Sequence, residues 1–354
     1  MALRLRVLGL GGALCTVVAD RDSTTEDVKA LIEQETGVPQ REQRLLHGAE
    51  ELRAVTPCRA LPAGEELELL LVRRPPEQAE WLTRVQEDWR ALGWAPQWIR
   101  ADHEVVLTAV RKSWRALQYV ESELQSDREL GLAVVQQDWS ALEFVAESLR
   151  ADRVVVLAAL EQDAYALEVA AEELRRDPEV VLAAVQRDWR VLRLAGEALR
   201  EDPAIVSAAL DQNALALEFV AAALRADAAL VLPAVQKNGM ALDFAAAALR
   251  ADATVVLAAV RQNGLALGYA ASELRADAGM VLAAVRQNGL ALCFAAAEAQ
   301  ADPQVVLAAV EQNGLALKFA AGKLRADTGV VLAAVRQNSF AFEFVAPELL
   351  AALK

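Results

Sequence analysis

Aspartates recur along most of this 354-residue chain at one interval: Asp102, Asp127, Asp152, Asp177, Asp202, Asp227, Asp252, Asp277, Asp302 and Asp327. Carboxylates brought together in pairs can divide acid and base roles between them. A second reactive pattern is "QNGLAL", at 262–267, 287–292 and 312–317. Asn-Gly between apolar residues is the signature of a tight hairpin or an exposed loop. The remaining candidates are His47, His103, Cys15, Cys58 and Cys293. Neither histidine has a partner at metal-ligand spacing, and three scattered cysteines fit neither a disulfide framework nor a zinc site. A nucleophilic cysteine needs an activating histidine beside it, which Cys293 lacks within its own segment. With no Ser/His/Asp set and no phosphate-binding glycine loop, the sequence predicts a non-enzymatic protein without catalytic residues, cofactor or metal. The cysteine usage fits a reducing compartment, cytoplasmic or nuclear.

The interval itself explains most of these residues. A ruler stepped by 25 from Glu77 through the ten aspartates marks 11 units without an insertion. Fixed periods of this size denote stacked structural repeats. In the unit 252–276, "DATVVLAAVRQNGLALGYAASELRA", the residues Val255, Val256, Leu257, Ala259 and Val260 form one face of a helix of about ten residues. Aspartate at position 1 suits an N-cap, and Pro178, Pro203 and Pro303 follow it at the first helical position.

Position 12 holds only Asp, Ser or Asn, from Asp88 and Ser113 through Asn263 to Asn338. These are the strongest N-caps, so position 12 is read as capping a second helix over positions 13–24. Trp89, Trp114, Trp139 and Trp189 stand at position 13 where other units have Gly, and Trp resists the positive φ that a hairpin requires. The hairpin reading therefore fails. The array 77–351 is expected to be an all-α solenoid of 11 two-helix repeats, each too short to stand alone. Trp89, Trp114 and Trp139 are expected to run as an aromatic ladder along one edge, either a binding strip or a cover for the joints. Trp81, Trp94 and Trp98 are expected to cap the end of the array, and Pro233 to bend it. Arginines such as Arg225 and Arg250 end the second helix, where a cation complements the dipole. The segment "DAGMVLAAVRQNGLALCFAAAE" resembles the repeat family catalogued as domain of unknown function 4116. The resemblance covers nearly all of 77–351 and implies a helical repeat without an assigned activity.

The first 74 residues follow another pattern. "LRLRV", "CTVVA", "QRLLH" and "ELELLLV" read as strands, and "TTEDVKALIEQETG" as a helix opened by Ser23 or Thr24 and stopped at Gly37. Residues 24–52, "TTEDVKALIEQETGVPQREQRLLHGAEEL", resemble ubiquitin, which implies an α+β β-grasp domain over 1–74. A proline linker, 75–76, leads to the array, and 352–354 form a tail. Conjugation needs a free C-terminal Gly-Gly, whereas this strand ends "VRRPP". Lys29 is the only lysine of the domain. The resemblance places Leu8, Leu46 and Leu70 at the positions of the family's apolar recognition patch. Glu68 replaces its usual histidine and His47 its aromatic. The plainer alternative is that the leucines fill the sheet.

The net charge is −14, of which residues 1–76, with 10 Lys/Arg and 12 Asp/Glu, carry −2. An acidic chain without basic clusters is a poor match for nucleic acid or anionic membrane. No stretch reaches the ~18 uncharged apolar residues of a membrane helix. The expected partners are proteins, ubiquitin-receptor or proteasome-type on the sheet and a second protein on the array, with the chain itself a monomer. Position 10 is always polar but varied, as an exposed binding surface would be. A structural spacer and a component of a ubiquitin-pathway enzyme are the alternatives.

Overall fold

The computed structural model describes residues 2–20, 22–48, 50–52 and 66–352. Cys58 lies outside them. The chain divides into two compact units, Met1–Ala159 and Leu160–Lys354.

The first unit begins with strands β1 (Ala2–Gly9), β2 (Gly12–Asp20), β3 (Gln43–His47), β4 (Glu50–Glu51) and β5 (Glu66–Arg73), with helix α1 (Thr25–Thr36) between β2 and β3. The strand order is β2-β1-β5-β3-β4, with β1 and β5 parallel at the centre. Strict alternation of side chains decides which face is the core. Leu3, Leu5, Val7, Leu45, Leu69 and Leu71 point to one side and pack with Val28 and Ile32 of α1. Thr24 is the cap of that helix: its Oγ1 accepts from the Asp27 N–H at 3.3 Å, while Asp27 Oδ2 accepts from the Thr24 N–H at 2.7 Å. Gly37 ends the helix at φ 71°, a conformation open to glycine and costly for other residues.

Helix Pro76–Glu87 follows β5 directly, so Pro76 is its first residue and not a linker. Proline is stable there because that N–H would be unpaired anyway. The Arg74 side chain is buried between this sheet and the helices after it. It donates to the Gln43 carbonyl at 2.8 Å, to Glu51 Oε1 at 3.0 Å, and to both carboxylate oxygens of Glu104 on helix His103–Lys112. Gln78 adds a bond to Asp102 at 2.7 Å.

From there the chain is largely helical in repeats of about 25 residues, and three segments fill each repeat instead of two. A ten-residue α-helix such as Ala253–Gln262 is followed by a six-residue 3-10 helix, Gly264–Tyr269, and then by a single turn, Ser272–Ala276. The expected second helix breaks at Ala270, which is extended at φ −67°, ψ 153°. The break has a tertiary cause. It frees the Ala271 N–H to reach the Arg250 carbonyl of the preceding repeat at 2.8 Å, and Ala246, Ala296 and Ala346 make the same bond one or more periods away. The aspartates are N-caps throughout; Asp252 Oδ1 accepts from Thr254 and Val255 at 2.8 and 3.0 Å. The last helix, Pro347–Ala352, takes in Ala352, which the sequence assigned to a tail.

Pro233 lies inside a helix that still spans the full ten residues, Ala228–Lys237. Trp94 and Trp98 do not cap the array's end by burial: they are 78% and 48% exposed.

Candidate functional site

On the sheet face opposite α1, β1, β5 and β3 place three leucines in one line. Leu8 is in register with Leu70, and Leu70 with Leu46. Their neighbours Val7, Leu69 and Leu45 are fully inside, while these three are half-buried, so alternation leaves the row facing solvent. Charged pairs edge it. Arg6 and Glu68 meet at 3.2 Å on one side, and Arg44 and Glu51 at 2.7 Å on another. Both pairs are neutral overall, so the row is an apolar strip beside balanced charge. Glu68 is thus occupied by Arg6, and His47 is half-buried at the strand's end.

Lys29 sits half-buried near the inter-segment junction. Burial first, then the Arg74 guanidinium, push its ammonium below the usual lysine range. The end of β5 runs into helix Pro76–Glu87, so the strand has no free tail.

Trp89 and Trp114 each pack on an aromatic ring of the following repeat. Trp114 stacks on Phe144, one repeat on, with centroids 5.1 Å apart, and Trp89 meets Tyr119 at 6.3 Å. Each also carries an arginine, Arg115 over Trp114 at 4.7 Å and Arg90 over Trp89 at 4.9 Å. Trp139 is half-buried in the same position of its repeat. Trp189 repeats the pattern in the second compact unit, stacked on Phe219 at 5.8 Å. Trp114, Arg115, Leu117 and Phe144 line an open pocket of about 370 Å³, and Phe144 is 62% exposed.

The repeating aspartates, the most numerous candidates for acid–base chemistry, are helix caps. Among the described residues no three His, Cys, Asp or Glu side chains converge as metal ligands. His103 Nε2 lies 3.3 Å from the capping Asp127. Burial raises the Cys293 thiol, and burial followed by Glu35 raises that of Cys15. No described helix is long and apolar enough to cross a membrane.

Sequence reasoning missed one residue type, the glutamine at position 11. Gln262 Oε1 accepts from the Gly239 N–H at 2.6 Å, Gln287 from Gly264 at 2.6 Å, and Gln312 from Gly289 at 2.5 Å. Gln137 and Gln212 do the same for Trp114 and Trp189, at 2.9 and 3.1 Å. Each bond satisfies a first-turn N–H of the 3-10 helix in the preceding repeat. Where glycine holds this position, the neighbouring backbone comes close. A Cβ on Gly239, Gly264 or Gly314 would lie 2.4 Å from the Ala259, Ala284 or Ala334 carbonyl of the next repeat.

Comparison with known proteins agrees with this architecture. The family model described as Domain of unknown function (DUF4116) matches residues 102–150, 127–175, 152–200, 177–225, 227–275, 252–298 and 302–350. These matches cover more than half of the chain, which therefore belongs to that family. The N-terminal five-stranded sheet and its helix resemble the ubiquitin-like fold. No curated protein matches the chain. Among solved structures, the crystal structure of ATBAG1 in complex with HSP70 aligns over 60% of this chain and 99% of that chain, at 13% identity. Its TM-score of 0.24 is too low to define a shared fold.

Proposed function

We propose that the protein is a non-enzymatic protein–protein interaction adaptor. Its ubiquitin-like domain docks on ubiquitin-receptor or proteasome-type partners through Leu8, Leu46 and Leu70. Its repeats, read as a solenoid of 11 units, hold a second protein. The observation that carries this reading is the leucine row: three large apolar side chains in register across β1, β5 and β3, on the face turned away from the core. A docking role explains why they stand where alternation would otherwise favour polar residues. The pocket at Trp114 and Phe144 is a second contact surface of the same kind.

The reading is tested by capture with the full chain and with its L46R/L70R variant. Proteasomal and ubiquitin-receptor proteins are expected with the wild type and depleted with the variant, while the variant's circular dichroism stays unchanged. An identical protein set from both would remove the docking role. A pure spacer predicts that neither the leucine row nor the repeats crosslink to any specific protein.

A further inference from the structure

Each 3-10 helix of the second compact unit lies against the ten-residue helix of the next repeat, as Gly314–Phe319 does against Thr328–Gln337. One glutamine side chain fastens such a joint at two points. Gln287 Oε1 accepts from the Gly264 N–H at 2.6 Å, and its Nε2 donates to the Gln262 carbonyl at 3.3 Å. Gln337 does the same to Gly314 and Gln312, at 2.5 and 3.3 Å. The 3-10 helix Ser339–Phe344 has no ten-residue helix beyond it among the described residues. The Ser339 N–H and the Gln337 carbonyl, the equivalent pair, meet no amide side chain there. Asn338 nonetheless caps this 3-10 helix, accepting from the Phe340 N–H at 3.0 Å, so the open face is fully formed. It is also apolar. The position that holds Leu267, Leu292 and Leu317, all fully buried, here holds Phe342, 54% exposed, and Phe340 two residues earlier is 69% exposed. A solvated face of a repeat array is ordinarily polar. This one carries phenylalanine at two positions where the three preceding repeats carry leucine.

We infer that this face docks an amphipathic helix of a partner protein, whose apolar side covers Phe340 and Phe342 and whose glutamine closes on the Ser339 N–H and the Gln337 carbonyl. The site continues the interface that joins one repeat to the next, so that interface defines the occupant. In the helix Ala253–Gln262, Val255, Val256, Ala259 and Val260 are the buried side, and Gln262 Oε1 accepts from Gly239. A primary amide carries an acceptor and donors on one planar group, which suits an N–H and a carbonyl two residues apart; a carboxylate answers only the N–H. The first array helix of a second copy does not fit. Its residue at the glutamine position is Glu87, and that helix, Pro76–Glu87, already packs against Gln40–Glu42. The inference rests on the adaptor reading in that the repeats hold a second protein, and it gives them a site and a partner chemistry. Its test does not involve the leucine row.

The full chain is titrated into a fluorescein-labelled peptide of the sequence 252–263, "DATVVLAAVRQN", and followed by fluorescence anisotropy. A side-chain lactam on its outward face holds the peptide helical, since a free helix this short is marginal. The same peptide with glutamate for Gln262 is the comparison. Two variants of the chain separate the contacts. F340S/F342S removes the exposed rings. S339P removes the N–H alone: proline is stable at the first helical position, and Asn338 before it is already extended at φ −150°, ψ 115°. Wild type is expected to bind the glutamine peptide and to sediment as a monomer without it. F340S/F342S is expected to weaken binding by about tenfold or more. S339P, and separately the glutamate peptide, are expected to weaken it by about fivefold or more. Thermal midpoints should change little. L46R/L70R is expected to bind the peptide as wild type does, and its loss of binding would place the peptide elsewhere. No binding by wild type, wild-type affinity in F340S/F342S or S339P, or equal affinity for the two peptides would each overturn the inference. So would a wild-type dimer that F340S/F342S dissociates, since the occupant would then be a second copy. None of these outcomes alters the capture result for the leucine row.

Discussion

Replacing Gly264 by alanine should destabilise the repeats, although alanine is ordinarily the better helix residue. The new Cβ would lie 2.4 Å from the Ala284 carbonyl oxygen, and contacts under 3.0 Å are essentially never seen. Opening the joint by about 0.6 Å would relieve the clash. It would also stretch the Gly264 N–H bond to Gln287 from its present 2.6 Å to the long end of the useful range. Overpacking of this kind costs about 1–3 kcal/mol, and weakening the bond adds up to about 1 kcal/mol. The gain from removing a glycine, about 0.5–1 kcal/mol, offsets only part of this. A net loss of about 1–2 kcal/mol corresponds to a 5–30-fold rise in local opening. Gly322 is the control, because a Cβ there meets nothing within 4 Å. Gly322→Ala is expected to be neutral or stabilising by about 0.4–1 kcal/mol. Amide hydrogen exchange is the suitable assay, since repeat arrays open locally. Protection around 264–290 should fall in Gly264→Ala and hold in Gly322→Ala. Equal protection in both variants would refute the close-approach argument.

Three further outcomes follow from the same geometry. Asn263→Ala should cost about 1 kcal/mol in urea unfolding, whereas Asn263→Asp should be nearly neutral, because either native side chain caps the 3-10 helix. Arg74→Ala should loosen the junction by about 1–3 kcal/mol, since Glu51 and Glu104 lose their shared cation; faster limited proteolysis near Pro75 would report it. Asp152 gives a pH dependence. Burial alone would raise its carboxyl, but the Arg128 hydrogen bond and the Val155 and Val154 N–H groups outweigh burial and hold it below the ordinary value. A depressed carboxyl stabilises the fold above its unfolded value, about pH 4, and this contribution is lost as pH falls through the lower, folded value. The thermal midpoint should therefore drop on acidification below about pH 4, and Arg128→Gln should shrink that drop.

How far these features were legible depends on whether their cause was local. Position 12 could be read as a cap because only Asp, Ser and Asn occupy it, and capping is a bond within two residues. The break after position 18 could not. Alanines and leucines suit either helix type, and the extended Ala270 is set by the bond from Ala271 to Arg250 of the preceding repeat. Gln262 was equally hidden: an exposed glutamine near a helix end looks like ordinary surface until the neighbouring Gly239 N–H is in view. Glycine at position 13 seemed a tolerated choice, yet its reason is the carbonyl of the following repeat. Leu8, Leu46 and Leu70 were singled out by the ubiquitin resemblance alone, and their register across β1, β5 and β3 is visible only in the fold. The spacing put Trp89 and Trp114 along one edge, but the rings they pack on, Tyr119 and Phe144 of the following repeat, come into view only with the fold.

Leu8, Leu46 and Leu70, in register across three strands, are the proposed docking surface. Isothermal titration of the full chain with a purified ubiquitin-receptor domain tests it most directly. Wild type is predicted to bind, and L46R/L70R to lose at least about 2 kcal/mol of binding free energy, as central apolar contacts do when disrupted. Equal affinities for the two proteins, or no heat of binding from the wild type, would contradict it.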